Sequence, residues 1–458
     1  SVIAGLWQDV LGLTSVGRTD NFFDLGGNSL LATRFVAMLE KDHEIILAVT
    51  KLYQLPFIEK LASFLDGKEK PRPVNRDKKA KPGKDVAIVG MSGRFPGANN
   101  IDELWDVISS GKETISFFSA AELDKHIPES IRTDPNYVKA RGIIENADQF
   151  DAAFFGMNHR MAEVMDPQQR VFLEICWEAL ESTGYLPDKY PGKIGVFAGS
   201  GSNTYFLNNI HTRPDITAKL GHFQVSTLND KDYLAMRIAY ELDLKGPAVS
   251  VYSSSSTSLL AIAQAVESIR QGQCDLALAG AVTINSPIKS GHIYEDGAMF
   301  SEDGHCRPFD ALATGTIFSD GAGVVLLKTL DDAKRDGDTV YAVIKGIGLN
   351  NDGGLKASFT APHAGGQADA ISMALTDAGV SPADVTYIEA HGTATPIGDP
   401  IEIEGLKMAF GENLSKQYCA IGSLKGNMGH LTHAAGVAGL IKTALALHYK
   451  IVPKFEIL

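Results

Sequence analysis

Apolar positions follow two different periods along the chain. Over residues 1–66 they recur at helical spacing, in IAGLWQDVLGL, LLATRFVAML and FIEKLASFL, with a short turn expected around Lys51 to Pro56. That pattern predicts a small all-α bundle. Residues 67–85, GKEKPRPVNRDKKAKPGKD, abandon the apolar positions for lysine, arginine and proline, the composition of an extended, solvated tether.

Beyond the tether, over 86–458, the period shortens. β-Branched runs at 86–90, 194–199, 248–252, 276–284, 340–348 and 385–390 alternate with amphipathic helical stretches, which predicts a layered α/β domain. Two helix starts carry their own punctuation. Asp166-Pro167 and Asp399-Pro400 read as capped first turns, with Gln169 or Glu402 three residues after the aspartate.

Composition narrows the function classes. At 458 residues the chain exceeds the size of a single core, in keeping with separate domains. A net charge of −13 argues against binding a phosphate backbone. The basic stretch at 67–85 is broken by prolines and holds no aromatic residue, so it reads as a spacer with no nucleic-acid or membrane role. No apolar run is long enough for a bilayer, and the N-terminus lacks a secretory pattern, so Ser1 reads as an excision boundary. Cys176, Cys274, Cys306 and Cys419 form no CxxC pair; neither a disulfide framework nor a metal site is expected, and a reducing cytoplasm is the simplest setting.

The candidate chemistry begins with DNFFDLGGNSLLATRF. It sets Ser29 at the start of an apolar-periodic helix, with Gly26 and Gly27 leaving room for another surface to approach. An isolated serine there is a helix cap. The whole motif, within four helices, resembles the phosphopantetheine attachment site of carrier proteins. The resemblance implies that Ser29 accepts phosphopantetheine from coenzyme A through a phosphopantetheinyl transferase, and that the arm then carries acyl or aminoacyl thioesters. The GGNS form looks more like peptidyl than acyl carriers; both remain open.

A second constellation lies in GPAVSVYSSSSTSLLAIAQAVESIR. A buried strand is expected to end near Tyr252 and a helix to begin just after Ser255, which places Ser255 at the positive end of a helix dipole. A cysteine there would have a lowered pKa without a dedicated base. Alone, the tetraserine reads as a polar turn. Two further loops change that reading: YIEAHGTATPIGDPIEIEGL carries His391, and AIGSLKGNMGHLTHAAGVAGL carries Lys425 and His430, both expected between a strand and a helix.

With VAIVGMSGRFPGA, MDPQQRVFLEICWEALE and HCRPFDALATGTIFSDGAGVVLLK, these motifs resemble the β-ketoacyl synthases (ketosynthases) of modular polyketide synthases or hybrid peptide–polyketide synthases. The resemblance implies a thiolase-like fold of two related β-α-β halves, a homodimer, and upstream and downstream modules as partners. In such enzymes a cysteine takes an acyl chain from a carrier. A malonyl-type extender then loses carbon dioxide and attacks that thioester. His391 and His430 match the two histidines that stabilise the developing negative charge, and Lys425 matches their supporting lysine. Cys306, Cys419, His292 and His433 have structural roles by default.

Two departures stand out. Ser255 occupies the cysteine position, and a hydroxyl gains far less from a helix dipole than a thiol, so a condensation-deficient form is expected. An engineered replacement is favoured over a naturally non-condensing gate, transacylase or scaffold, because both histidines and the lysine are kept. A serine esterase using Ser255 with His391 is a third reading. The chain also ends at KIVPKFEIL, ahead of a GxGGTNAH-like segment, so the ketosynthase is expected to lack its C-terminal part.

Overall fold

The computed structural model describes residues 2–67, 84–354, 356–411 and 417–453. Most of the expected tether, residues 68–83, lies outside the described residues, as do 454–458 at the end of KIVPKFEIL.

The N-terminal bundle consists of helices α1 (Val2–Leu11), α2 (Ser29–His43), α3 (Val49–Gln54) and α4 (Ile58–Leu65). Helix α3 occupies much of the stretch expected as a turn; at six residues it is too short for its period to register in the sequence. The apolar faces close on a core of their own. Trp7 is fully buried, edge-on to Phe22 at 5.0 Å and to Phe35 at 6.3 Å, among Leu39, Leu52 and Leu61. Aromatic pairs of this kind add about 0.5–1.5 kcal/mol beyond their buried area.

The second region is built on a six-stranded mixed sheet. Its strands are β1 (Val86–Arg94), β2 (Ile194–Ser200), β3 (Ala248–Ser250), β4 (Leu276–Thr283), β5 (Gly321–Thr329) and β6 (Ala342–Ile344), in the order β6-β1-β5-β4-β2-β3. Strand β2 runs parallel to β3 and β4, and the remaining neighbours are antiparallel.

Alternation along β1 shows why both faces are covered. Val86 and Ile88 enter a cluster with α6 (Thr257–Arg270) and α9 (Ala435–Tyr449), whereas Ala87 and Val89 enter the opposite cluster with α5 (Pro167–Thr183). Strands buried on both faces read as continuous apolar runs, which is how 276–284 reads in the sequence. A separate parallel pair, β7 (Tyr387–Glu389) and β8 (Ala420–Gly422), stands before α7 (Gly398–Phe410) and the short α8 (Lys425–Met428). The fold is thus a layered, thiolase-like α/β domain behind an all-α bundle.

Three local expectations need correcting. The runs at 248–252, 340–348 and 385–390 contract to three-residue strands, and β3 is half-buried rather than buried, because β2 covers only one of its edges. Asp166 does cap α5, but its partner is the Gln168 amide, and the side chain of Gln169 finds no hydrogen bond among the described residues. Asp399 is not a cap. Helix α7 begins one residue earlier, and the Asp399 carboxylate accepts from the Phe309 and Ala394 amides, tying the His391 loop to residue 309.

Candidate active site and carrier serine

Ser255 stands in a single turn of 3-10 helix, Ser254–Ser256, between β3 and α6. Its neighbours are consumed by the turn. The Ser253 amide donates to Thr257 Oγ1 at 2.8 Å, the Ser253 and Ser256 hydroxyls pair at 2.8 Å, and Ser256 Oγ also donates to the Ser253 carbonyl. Ser254 takes a left-handed φ of 49°, a conformation that costs a non-glycine residue free energy unless its surroundings hold it. The Ser255 hydroxyl is thereby left to face away from its own turn, and it meets His430 Nε2 at 3.0 Å.

His430 is fixed from both sides. Its amide donates to the Ile317 carbonyl at 2.7 Å, and its carbonyl accepts from Ser319 at 2.9 Å. Gly429, at φ 72°, makes this approach possible, since a Cβ there would collide with Ser319 Oγ. The Thr432 amide donates to His430 Nδ1 at 3.1 Å. A ring that accepts at Nδ1 carries its proton on Nε2 when neutral. His430 therefore donates to Ser255 Oγ rather than accepting from it.

His391 follows β7, with its ring edge-on to that of His430 at a centroid separation of 5.4 Å. Its loop is clamped by Glu402 on α7, whose two carboxylate oxygens accept from the His391 and Gly392 amides at 2.6 and 2.7 Å. Buried Lys425, at the start of α8, donates its Nζ to the His391 carbonyl at 2.6 Å. Glu389 closes the frame: one oxygen accepts from the Leu424 amide at 2.6 Å, while the other meets Lys442 Nζ at 2.7 Å.

Electrostatics keep both rings neutral. Burial, then the Lys425 cation, push His430 well below the ordinary imidazole value. Crowding by the protein, then Lys425, lower His391 as well, but that residue is exposed at the surface, and solvent screens the shift without changing its sign. Burial also lowers Lys425, opposed by the nearby acidic groups Cys306, Glu389, Glu402 and Asp399. Two neutral N–H donors beside a buried ammonium form a site suited to negative charge that develops on an oxygen.

The sequence motifs thus bring Ser255, His391, Lys425 and His430 to one place. They leave out Glu402, Glu389 and Lys442, which hold the loops. In the sequence Glu402 is visible only as a helix-start glutamate, and its position within the same run as His391 is the available signal. Cys306 and His292 are each accounted for by their surroundings. Burial drives the Cys306 thiol up to about 12, and His292 is spent on the Ser301 carbonyl at 2.7 Å.

Ser29 is the first residue of α2. Asn28, not Ser29, is the cap, its side chain accepting from the Leu31 amide at 2.9 Å. The Ser29 hydroxyl has no hydrogen-bond partner among the described residues and is only half-buried. A phosphate ester there would sit against the unsatisfied amides of the helix start, so the site fits phosphopantetheine.

Comparison with known proteins agrees with this layout. Residues 83–333 match the family described as "Beta-ketoacyl synthase, N-terminal domain", residues 341–456 the corresponding C-terminal domain, and residues 1–65 the "Phosphopantetheine attachment site" family, whose members carry that group on a serine. The chain is 43% identical over 377 residues to a phenolphthiocerol/phthiocerol polyketide synthase of Mycobacterium tuberculosis, covering 80% of this chain but 25% of that protein. Ketosynthase twelve of the bacillaene polyketide synthase from Bacillus amyloliquefaciens superposes with a TM-score of 0.76 at 39% identity, over 82% of this chain and 66% of that one. A cysteine-to-serine mutant of the module 6 ketosynthase from the Bacillus subtilis bacillaene synthase gives 0.70 at 35% identity, over 81% and 62%. With its sheet, its two histidine loops and its carrier bundle all matched, the chain belongs to the β-ketoacyl synthase family of modular polyketide synthases.

Proposed function

We propose that the chain serves polyketide elongation, with Ser29 as the attachment point of the carrier arm and Ser255, His391, Lys425 and His430 as the condensing site. When bound, phosphopantetheine supplies a thiol that holds an acyl or aminoacyl group as a thioester. The residue at 255 receives that acyl group. His430 Nε2–H and His391 then donate to the thioester oxygen of a malonyl-type extender, steadying the negative charge left as carbon dioxide departs. Lys425, through the His391 carbonyl, holds the loop and adds positive potential. The observation that carries this reading is the 3.0 Å contact between Ser255 Oγ and a His430 ring whose proton is held on Nε2.

The same contact accounts for the proposed deficiency. A histidine that donates to Ser255 cannot also take its proton, so the hydroxyl is not activated and acyl transfer is slow. A serine esterase using Ser255 with His391 lacks its base contact, since among the described residues the Ser255 hydroxyl bonds to His430 and not to His391. A non-condensing gate rests on the serine itself and predicts that cysteine at 255 restores nothing. The structurally similar cysteine-to-serine mutant supports the view that such a replacement leaves the fold intact. We place the protein with adjacent synthase modules, a phosphopantetheinyl transferase and a second copy of itself in a reducing cytoplasm. For the second copy, the outer edge of β3, which pairs with no other strand among the described residues, is the support. No described helix is long and apolar enough to cross a membrane.

The deciding experiment is Ser255→Cys, incubated with an acyl-pantetheine thioester and read by intact-protein mass. The expected result is one acyl mass added at residue 255. A folded variant that gains no mass sinks the condensing reading.

A further inference from the structure

We propose that the carrier bundle docks in cis on the ketosynthase of its own chain, with Ser29 seated on Gly297 and helix α3 lying over segments 309–313 and 395–407. The inference rests on the roles given above to Ser29 and Ser255, and it adds which surface receives the carrier.

Three separate contacts define the dock. At Gly297, φ is 74°, and a Cβ built there would lie 2.5 Å from Ser29 Oγ and 3.9 Å from Ser29 Cβ. The carrier serine therefore lies against the Gly297 backbone, and a side chain at that position would have to displace the Ser29 hydroxyl. Asn21 supplies the second contact. It is buried in the bundle, its Oδ1 accepts from the Phe23 amide, and its Nδ2 donates to the Lys356 carbonyl at 3.3 Å. The third is a groove of about 920 Å³ with Ile46, Leu47 and Phe64 on the carrier side and Phe309, Ile403 and Lys407 opposite.

The seat leads toward the chemistry. Three residues beyond Gly297, the Phe300 ring meets Phe318 at 5.1 Å, and Phe318 meets His430 at 5.5 Å. An arm on Ser29 would thus start at the lip of an aromatic path that ends on the histidine facing Ser255. The groove also suits a partner that must leave again. Ile46 remains 84% exposed, so the carrier side is held without being buried. Tethering makes each docking event intramolecular, at an effective concentration on the order of mM, and a loose interface then suffices.

Ser29→Cys combined with Gly297→Cys tests the seat in the whole chain. The 3.9 Å separation matches the Cβ spacing of a disulfide, about 3.8 Å. Mild oxidation with copper phenanthroline should yield a cross-linked peptide joining the two positions, in clear excess over Ser29→Cys paired with Phe223→Cys, an exposed control. Equal yields, or no cross-link, overturn the dock. A second measurement uses Gly297→Asn in the Ser255→Cys background, since asparagine tolerates a left-handed backbone. The ratio of acylation from the chain's own carrier to acylation by a free acyl-pantetheine thioester should fall about tenfold. An unchanged ratio overturns the dock. If the free thioester fails to load Ser255→Cys at all, the condensing reading fails instead, and the disulfide result still judges the dock.

Discussion

Ser29 and Ser255 are the same functional group at the same kind of place, the start of a helix, and their surroundings give them opposite prospects. At α2 the capping is done by Asn28, and the Ser29 hydroxyl, half-buried, has no hydrogen-bond partner among the described residues. Before α6 the flanking serines bond to one another, and Ser255 is engaged by a histidine that donates. In the proposed function the first hydroxyl takes a phosphate brought from outside. The other sits where a thiolate would be stabilised and a hydroxyl is not. Position on a helix dipole therefore does not settle reactivity; the side chain and the direction of its hydrogen bond do.

The largest effect should come from breaking the first half of this contrast. Ser29→Ala should abolish phosphopantetheine attachment by coenzyme A and a transferase, while Ser255→Ala leaves it untouched; intact mass reads both. Modification that persists in Ser29→Ala would remove the carrier assignment. Next in size is stability confined to one region. Trp7→Ala removes a fully buried ring from the bundle core and should cost about 3–5 kcal/mol there. Calorimetry should then show the bundle transition lost or lowered while that of the large domain stays. A shift of both transitions together would mean that the two cores are coupled.

Much of this was legible in the sequence, unevenly and for physical reasons. The carrier motif is contiguous, so one short run holds Ser29, its cap and its glycines. The long buried strands announced themselves by continuous apolar residues. What stayed hidden depends on contacts across sequence: β6 and β7 are short and half-buried, so their apolar runs overstate them. Glu402 and Asp399 looked like helix punctuation because their partners, the amides of residues 391, 392, 394 and 309, become neighbours only through the loops. The tautomer of His430 depends on the Thr432 amide, a backbone geometry no motif encodes.

A smaller effect sharpens the second half of the contrast. In the Ser255→Cys background, His430→Ala should slow extender decarboxylation by about 10²–10³, the usual loss for one donor to a developing oxyanion. Acyl loading of the cysteine should suffer less, because the helix start remains. Equal loss in both steps, followed by mass and by carbon dioxide release, would make His430 a positioning residue for position 255 rather than an extender donor.

The smallest effect is a pH slope. The His430 pKa is far below its unfolded value of about 6.5, so the unfolded chain binds the extra proton as pH falls through that value and the folded one resists it. Stability contributed by the neutral ring is complete above about 6.5 and should decline below it by up to roughly 1.4 kcal/mol per pH unit. Asp166, raised to about 7 by burial, works the other way over part of this window, stabilising the fold as the pH drops. His391, lowered in the same sense, adds to the decline, so His430→Gln should reduce the acid-side slope of urea midpoints between about pH 6.5 and roughly 5 without removing it. An unchanged slope would mean that His430 takes up its proton without difficulty. That outcome requires Nδ1–H to point at the Thr432 amide, donor against donor, and so would also dissolve the tautomer on which the proposed inertness of Ser255 depends.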